Sequence, residues 1–149
     1  MTQRGYLCAL LLGVIGLSAG NAQADNSGYT LPYRDVLAMP QAQTRLDPAV
    51  RLFFGQQQFP QPTSWRHDYF VDRSGNALLS SAESACRNVA IDNLVTLQER
   101  ARAVGANAVV NIVSDYSRSP RQDNDSYQCH VGSFTANVSL KGTMVTLPD

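Results

Sequence analysis

Polar and apolar positions alternate in two stretches of the chain and recur at helical spacing in a third. In "WRHDYFVD", alternation places Trp65, His67, Tyr69 and Val71 on one face of a strand and Arg66, Asp68 and Phe70 on the other, and the turn-prone "RSGN" ends it. In "HVGSFTANVSLKG", Phe134, Ala136, Val138 and Leu140 face inward while Ser133, Thr135, Asn137, Ser139 and Lys141 face out. One face of the sheet is therefore wet. Between these stretches, "CRNVAIDNLVTLQERARAVGANAVVNIV" (86–113) changes period. Cys86, Val89, Ala90, Asn93, Leu94, Leu97, Ala101 and Val104 share one helical stripe, while Arg87, Asn88, Asp92, Glu99 and Arg102 point away. Ser80, with Glu83 three residues on, is a capping-box signature that starts the helix near Ser81. Gly105 suits the left-handed stop after the last turn. "NAVVNIVS" follows at once, short and rich in β-branched residues, and predicts a strand.

The remaining segments fill in the architecture. "RLFFG", ending at Gly55, predicts a short strand, and the proline-punctuated residues 25–50 predict a docked N-terminal arm with one short helical turn near Tyr33–Ala38. "DYSRSPRQDNDSYQ" is polar, carries mixed charge and predicts a mobile loop. The order strand, strand, helix, strand, long strand predicts a single α+β domain over 51–149, with one main helix packed on a small, mostly antiparallel sheet.

The ends of the chain change what the cysteines mean. The chain opens "MTQRGYLCALLLGVIGLSAGNAQADNS", with Arg4 ahead of an apolar run from Tyr6 to Leu17 and Ala22-Gln23-Ala24 closing it. That pattern predicts a secretory signal peptide over 1–24, cut after Ala24, since the run is well short of the ~20 residues of a spanning helix. The expected product is a soluble periplasmic protein with no membrane span. Cleavage would discard Cys8 and leave Cys86 and Cys129 as a pair in an oxidising compartment, where a disulfide is the default. It would also remove Arg4, so twelve basic residues become eleven against twelve acidic ones, a net charge of about −1 that offers no footprint for nucleic acid.

The candidate chemistry is sparse. For a metal the inventory offers His67-Asp68 on one strand and Cys129-His130 on another, and neighbours on a strand point to opposite faces, so His67 and His130 could serve a metal only by meeting across the sheet. Ser64, His67 and Asp68 supply the letters of a hydrolytic triad on one strand, without a recognisable nucleophile turn. No cofactor motif is present. Ile91 and Val95, a helical turn apart outside the main stripe, form a second small apolar patch that either a partner or the arm's Tyr29, Tyr33 or Leu37 must cover.

Three segments, "DVLAMPQAQTRLDPAVRLFFG", "ACRNVAIDNLVTLQERARAVGANAVVNIVSDY" and "YQCHVGSFTANVSLKG", resemble a family of small exported bacterial proteins that often carry the label "excinuclease ATPase subunit". The helix followed by "GANAVV", with Gly132-Ser133 beyond, is similar at greater distance to two other groups. One is the outer-membrane lipoprotein that senses envelope stress in the Rcs phosphorelay, and the other the YbjQ-type family labelled heavy-metal-binding. The excinuclease label fails on chemistry: no G-x-x-x-x-G-K-[ST] loop occurs, and two cysteines beyond the leader cannot build paired-cysteine zinc sites. The chain also departs from the stress sensor, lacking its lipid-bearing cysteine and its second disulfide, so the resemblance implies fold more than role. The YbjQ-type likeness makes an oligomer conceivable. Together these readings predict a non-enzymatic periplasmic protein that contacts an envelope protein, as an accessory or stress-related factor. The alternative is a periplasmic small-molecule or metal binder.

Overall fold

A computed structural model describes residues 27–149; the expected signal peptide, its cleavage point and Cys8 lie outside the described residues. The elements in chain order are β1 (Ser27–Pro32), α1 (Tyr33–Leu37), α2 (Pro40–Arg45), β2 (Arg51–Phe54), β3 (Ser64–Asn76), α3 (Ala82–Ala103), β4 (Ala108–Ser114), a 3-10 turn (Tyr116–Arg118), β5 (Ser126–Val131) and β6 (Thr135–Thr146). All six strands join one mixed sheet organised around β6. Along one edge β6 carries the whole of β3, from Ser64↔Thr146 to Asn76↔Thr135. Along the other it carries β5 at Asn137 and Ala136, then β4 from Leu140 to Val145. β1 extends the sheet beyond β5, and β2 lies outside β4 as the single parallel pairing. The α+β class with one main helix on a mostly antiparallel sheet therefore holds, but the sheet is more extensive than the small one expected.

α3 covers one face. Ser81 is its N-cap, accepting from the Ser84 amide at 3.2 Å, one residue later than the Ser80–Glu83 box implies. Glu83 faces Arg87 instead, at 3.2 Å. Gly105 adopts φ +71° as the stop signal requires, and Val104, expected on the buried stripe, is the C-cap and is exposed. The stripe Cys86, Val89, Ala90, Leu94, Leu97 and Ala101 is buried against Val71, Val138, Leu140 and Met144 in one core. Cys86 and Cys129 form a disulfide that ties the first turn of α3 to β5, with Cα atoms 5.8 Å apart.

The N-terminal segment is not merely laid on this core but built into it. β1 adds a full strand that the sequence pattern did not show, because the alternation of "SGYTLP" is limited to Tyr29, Thr30 and Leu31 between a glycine and a proline. α1 falls where a helical turn was expected. α1 and α2 pack against α3, and Tyr33 of α1 also packs its ring against Phe54 of β2 and Tyr127 of β5. Ile91 is there fully buried in the same core as Tyr33, Val36 and Ala42, with half-buried Val95 beside it. The Ile91/Val95 patch is thus largely covered by the chain itself: Ile91 offers a partner no surface and Val95 only part of one. Arg45–Asp92 and Arg102–Asp47, each at 2.8 Å, close the seam from outside.

Further expectations need correction. "RSGN" does not end β3, since Arg73 to Asn76 stay in register with Val138 to Thr135 and long β6 supplies their ladder partners. The last long strand is two strands, β5 and β6, joined by a hairpin closed by the Gly132 amide on the Thr135 carbonyl at 2.9 Å. β5 starts within the segment read as a loop, and Phe134, read as inward, sits on the hairpin turn with 65% of its surface exposed. Finally, β3 has an extra residue at Arg66–His67: Trp65 faces Val145 while Asp68 faces Thr143, three residues opposing two. This bulge reverses the side-chain parity, so Trp65 leaves the face of Tyr69 and Val71 and packs edge-on to Phe59 across the sheet, 52% exposed. β4 carries a matching bulge at Asn111, whose φ of +53° is a conformation asparagine tolerates.

Candidate contact surface

The face of the sheet opposite α3 is where unexplained side chains collect. At its lower end, Ala108, Val110, Val145 and Leu147 make a second small core under Phe53 and Phe59. Toward the middle this apolar cover stops. The outward positions of β6 (Asn137, Ser139, Lys141, Thr143) meet those of β3 (Ser74, Asp72, Phe70, Asp68) in direct register. Ser74 donates to the Asn137 side-chain oxygen at 2.6 Å, and Phe70 lies opposite Lys141.

The charges are arranged around Phe70. Arg118 lies over its ring at 4.5 Å and Lys141 at 5.3 Å, both within cation–π range. Asp68 takes both its partners from β6, the Thr143 hydroxyl at 2.7 Å and the Lys141 ammonium at 3.0 Å. Those two partners, the hydroxyl first, hold its carboxyl below the usual range despite slight burial. Arg118 also reaches Asp72 and Asp115 at 3.9 Å each. Its backbone and that of Ser117 have φ near +60°, an uncommon conformation for residues with a Cβ, held by Ser119 N and Arg121 N bonding back to Tyr116 and Ser114. Asp115 is almost wholly buried, with neither carboxylate oxygen in a hydrogen bond. Beside it Tyr116 stacks on His130 at 3.6 Å, and desolvation lowers the His130 pKa.

A polar concavity of about 420 Å³ opens next to the Asp68–Lys141 pair, lined by Gln56, Asn111, Pro120, Gln122 and Thr143 among others. The Asn111 bulge builds one wall of it and the polar 115–125 segment another.

This geometry decides between the sequence candidates. His67 lies in the β3 bulge, one residue before the position facing Thr143, whereas His130 faces Asn137. Six residues of β6 separate these positions, roughly 20 Å at about 3.3 Å per residue, so the two histidines do not meet. Among the described residues no three His, Cys, Asp or Glu side chains cluster to hold a metal ion. Ser64, His67 and Asp68 are not assembled either, since Asp68 is engaged by Thr143 and Lys141. What the alternation pattern missed is Phe70 with Arg118. The arginine comes from the 3-10 turn 48 residues further along the chain, and only the register of β3 on β6 brings Lys141 under the same ring. Comparison with protein-family models, curated proteins and solved structures finds no significant match.

Proposed function

We propose that this is a non-enzymatic exported protein that acts at the cell envelope by contacting another protein through the sheet face opposite α3. The observation that carries the reading is Phe70, 41% exposed at the centre of that face and bracketed by Arg118 and Lys141. Aromatic and arginine side chains are the types that concentrate binding energy at protein interfaces. The surrounding row of short hydroxyl and amide side chains can be desolvated at modest cost beside them. The exported location rests on the leader pattern and agrees with the Cys86–Cys129 bond. Among the described residues no helix is long and apolar enough to cross a membrane. An accessory role in envelope stress is what the family resemblance adds.

The test is site-specific photo-crosslinking in intact cells, with a benzophenone amino acid at Phe70. A discrete adduct that disappears when Arg118→Glu and Lys141→Glu are added supports the reading. No adduct from Phe70, or one indifferent to both charge reversals, overturns it. A second reading, small-molecule binding, draws on the concavity beside Asp68, where three amides and an ion pair could fix a polar ligand. Such a ligand would raise the melting temperature by mass action, and Gln122→Ala would abolish the rise.

A further inference from the structure

Three large apolar side chains are exposed together at one end of the molecule, beyond the Ser74–Asn137 end of the surface just described. Leu78 is 57% exposed, Leu79 96% and Phe134 65%. The first two belong to the loop between β3 and α3, and the third to the β5–β6 turn. The loops are held side by side, because Ala77 donates its amide to the Phe134 carbonyl at 2.9 Å and Asn76 pairs with Thr135. Leu78 is further fixed by its amide on the Asn76 side chain at 2.7 Å. The apolar tip is thus rigidly presented, and it contributes nothing to the core.

Two observations say what it meets. The first is charge: no residue of 74–82, of 131–136 or of 27–28 is charged, so the rim around the tip consists of Ser, Thr, Asn, Gly and Ala with a few apolar residues. Such a rim enters a lipid headgroup region without stripping water from an ion. The second is where the chain comes from. Ser27, the first residue of β1, pairs with Val131 next to the β5–β6 turn, so the preceding segment joins the domain at this same end. The apolar run Tyr6–Leu17 ends nine residues before Ser27, and nine residues span at most about 30 Å. Before cleavage after Ala24, a bilayer that holds this run therefore keeps the tip within reach, and the domain is released beside that bilayer.

We propose that Leu78, Leu79 and Phe134 form a membrane-docking tip that inserts into the interface of a phospholipid bilayer and orients the domain with β1 and the N-terminus of α3 toward it. The inference goes beyond the protein-contact reading and does not use Phe70, Arg118 or Lys141. It is tested on residues 25–149, which contain every described element, by co-sedimentation with vesicles of phosphatidylethanolamine and phosphatidylglycerol. Binding of the parent protein and a reduction of about fivefold or more in the triple variant Leu78→Ser, Leu79→Ser, Phe134→Ser, with its melting temperature preserved, is the expected result. A parent protein that stays in the supernatant, or a triple variant that binds equally, overturns it. So does a vesicle-independent dimer in sedimentation velocity that the triple variant dissolves, since the tip would then belong to a second copy. Should the triple variant fold poorly, Leu79→Ser alone, at the most exposed position, gives the same discrimination.

Discussion

Buried polar side chains show most directly how single residues hold this fold together. Gln98 sits on α3 with its amide inside the protein, where it accepts from the Asp47 amide at 2.8 Å and donates to the carbonyls of Asp47 and Val50 at 2.9 and 2.7 Å. It therefore satisfies three backbone groups of a segment that has no regular structure of its own. Gln98→Leu keeps the bulk but leaves those groups buried and unpaired, and we expect a loss of about 2–4 kcal/mol, read as a lower urea midpoint with an unchanged slope. Asn93 plays the corresponding part on the sheet side, its amide donating to Val89 and Val138 carbonyls at 2.9 and 3.1 Å. Asn93 was visible in the sequence as a polar member of an apolar stripe. Gln98 was not, because its partners are defined only once residues 47–50 are folded against the helix.

At the level of elements, α3 was legible almost completely, since its period, start signal and terminal glycine all act within one turn of chain. β4 and the N-terminal part of β6 were legible for the same reason. Two kinds of feature escaped. β1 is recognisable only through its partner β5, and the bulges at Arg66–His67 and Asn111 change side-chain parity without leaving a mark in the hydropathy pattern. Both bulges flank the same part of β6, and the one in β4 places Val109 and Ile112 together on the helix side. Gly142 lies beneath them. A Cβ there would stand 2.5 Å from Val109 Cγ1 and 3.3 Å from Ile112 Cγ1, so the strand needs glycine for space and not for its dihedral angles. Gly142→Ala is expected to destabilise the protein by about 1–3 kcal/mol through overpacking. Pairing it with Val109→Ala should recover part of the loss in a double-mutant cycle, which an effect on strand propensity alone would not do.

For the whole molecule, the arrangement is a sheet with the main core on one face and, on the other, a smaller core beside the proposed contact surface. The helix face carries the main core and the disulfide; the opposite face carries Phe70, Arg118 and the polar concavity, and the charge-free tip stands apart from both. The candidate contact surface was largely illegible beforehand, because it is assembled from β3, β6 and the 115–125 loop by a register that no local pattern encodes. The disulfide was legible, since it followed from cysteine count and expected compartment. It closes a loop of 43 residues in separation, for which chain entropy sets a ceiling of about 4 kcal/mol, a large share of a small domain's margin. Export, oxidation and fold stand or fall together on that bond. Peptide mapping of the protein recovered from the periplasm, with thiols blocked at lysis and no reductant added, tests them at once. The account predicts that the peptides containing Cys86 and Cys129 are recovered joined to each other. Recovery of both as separately blocked free thiols would contradict it.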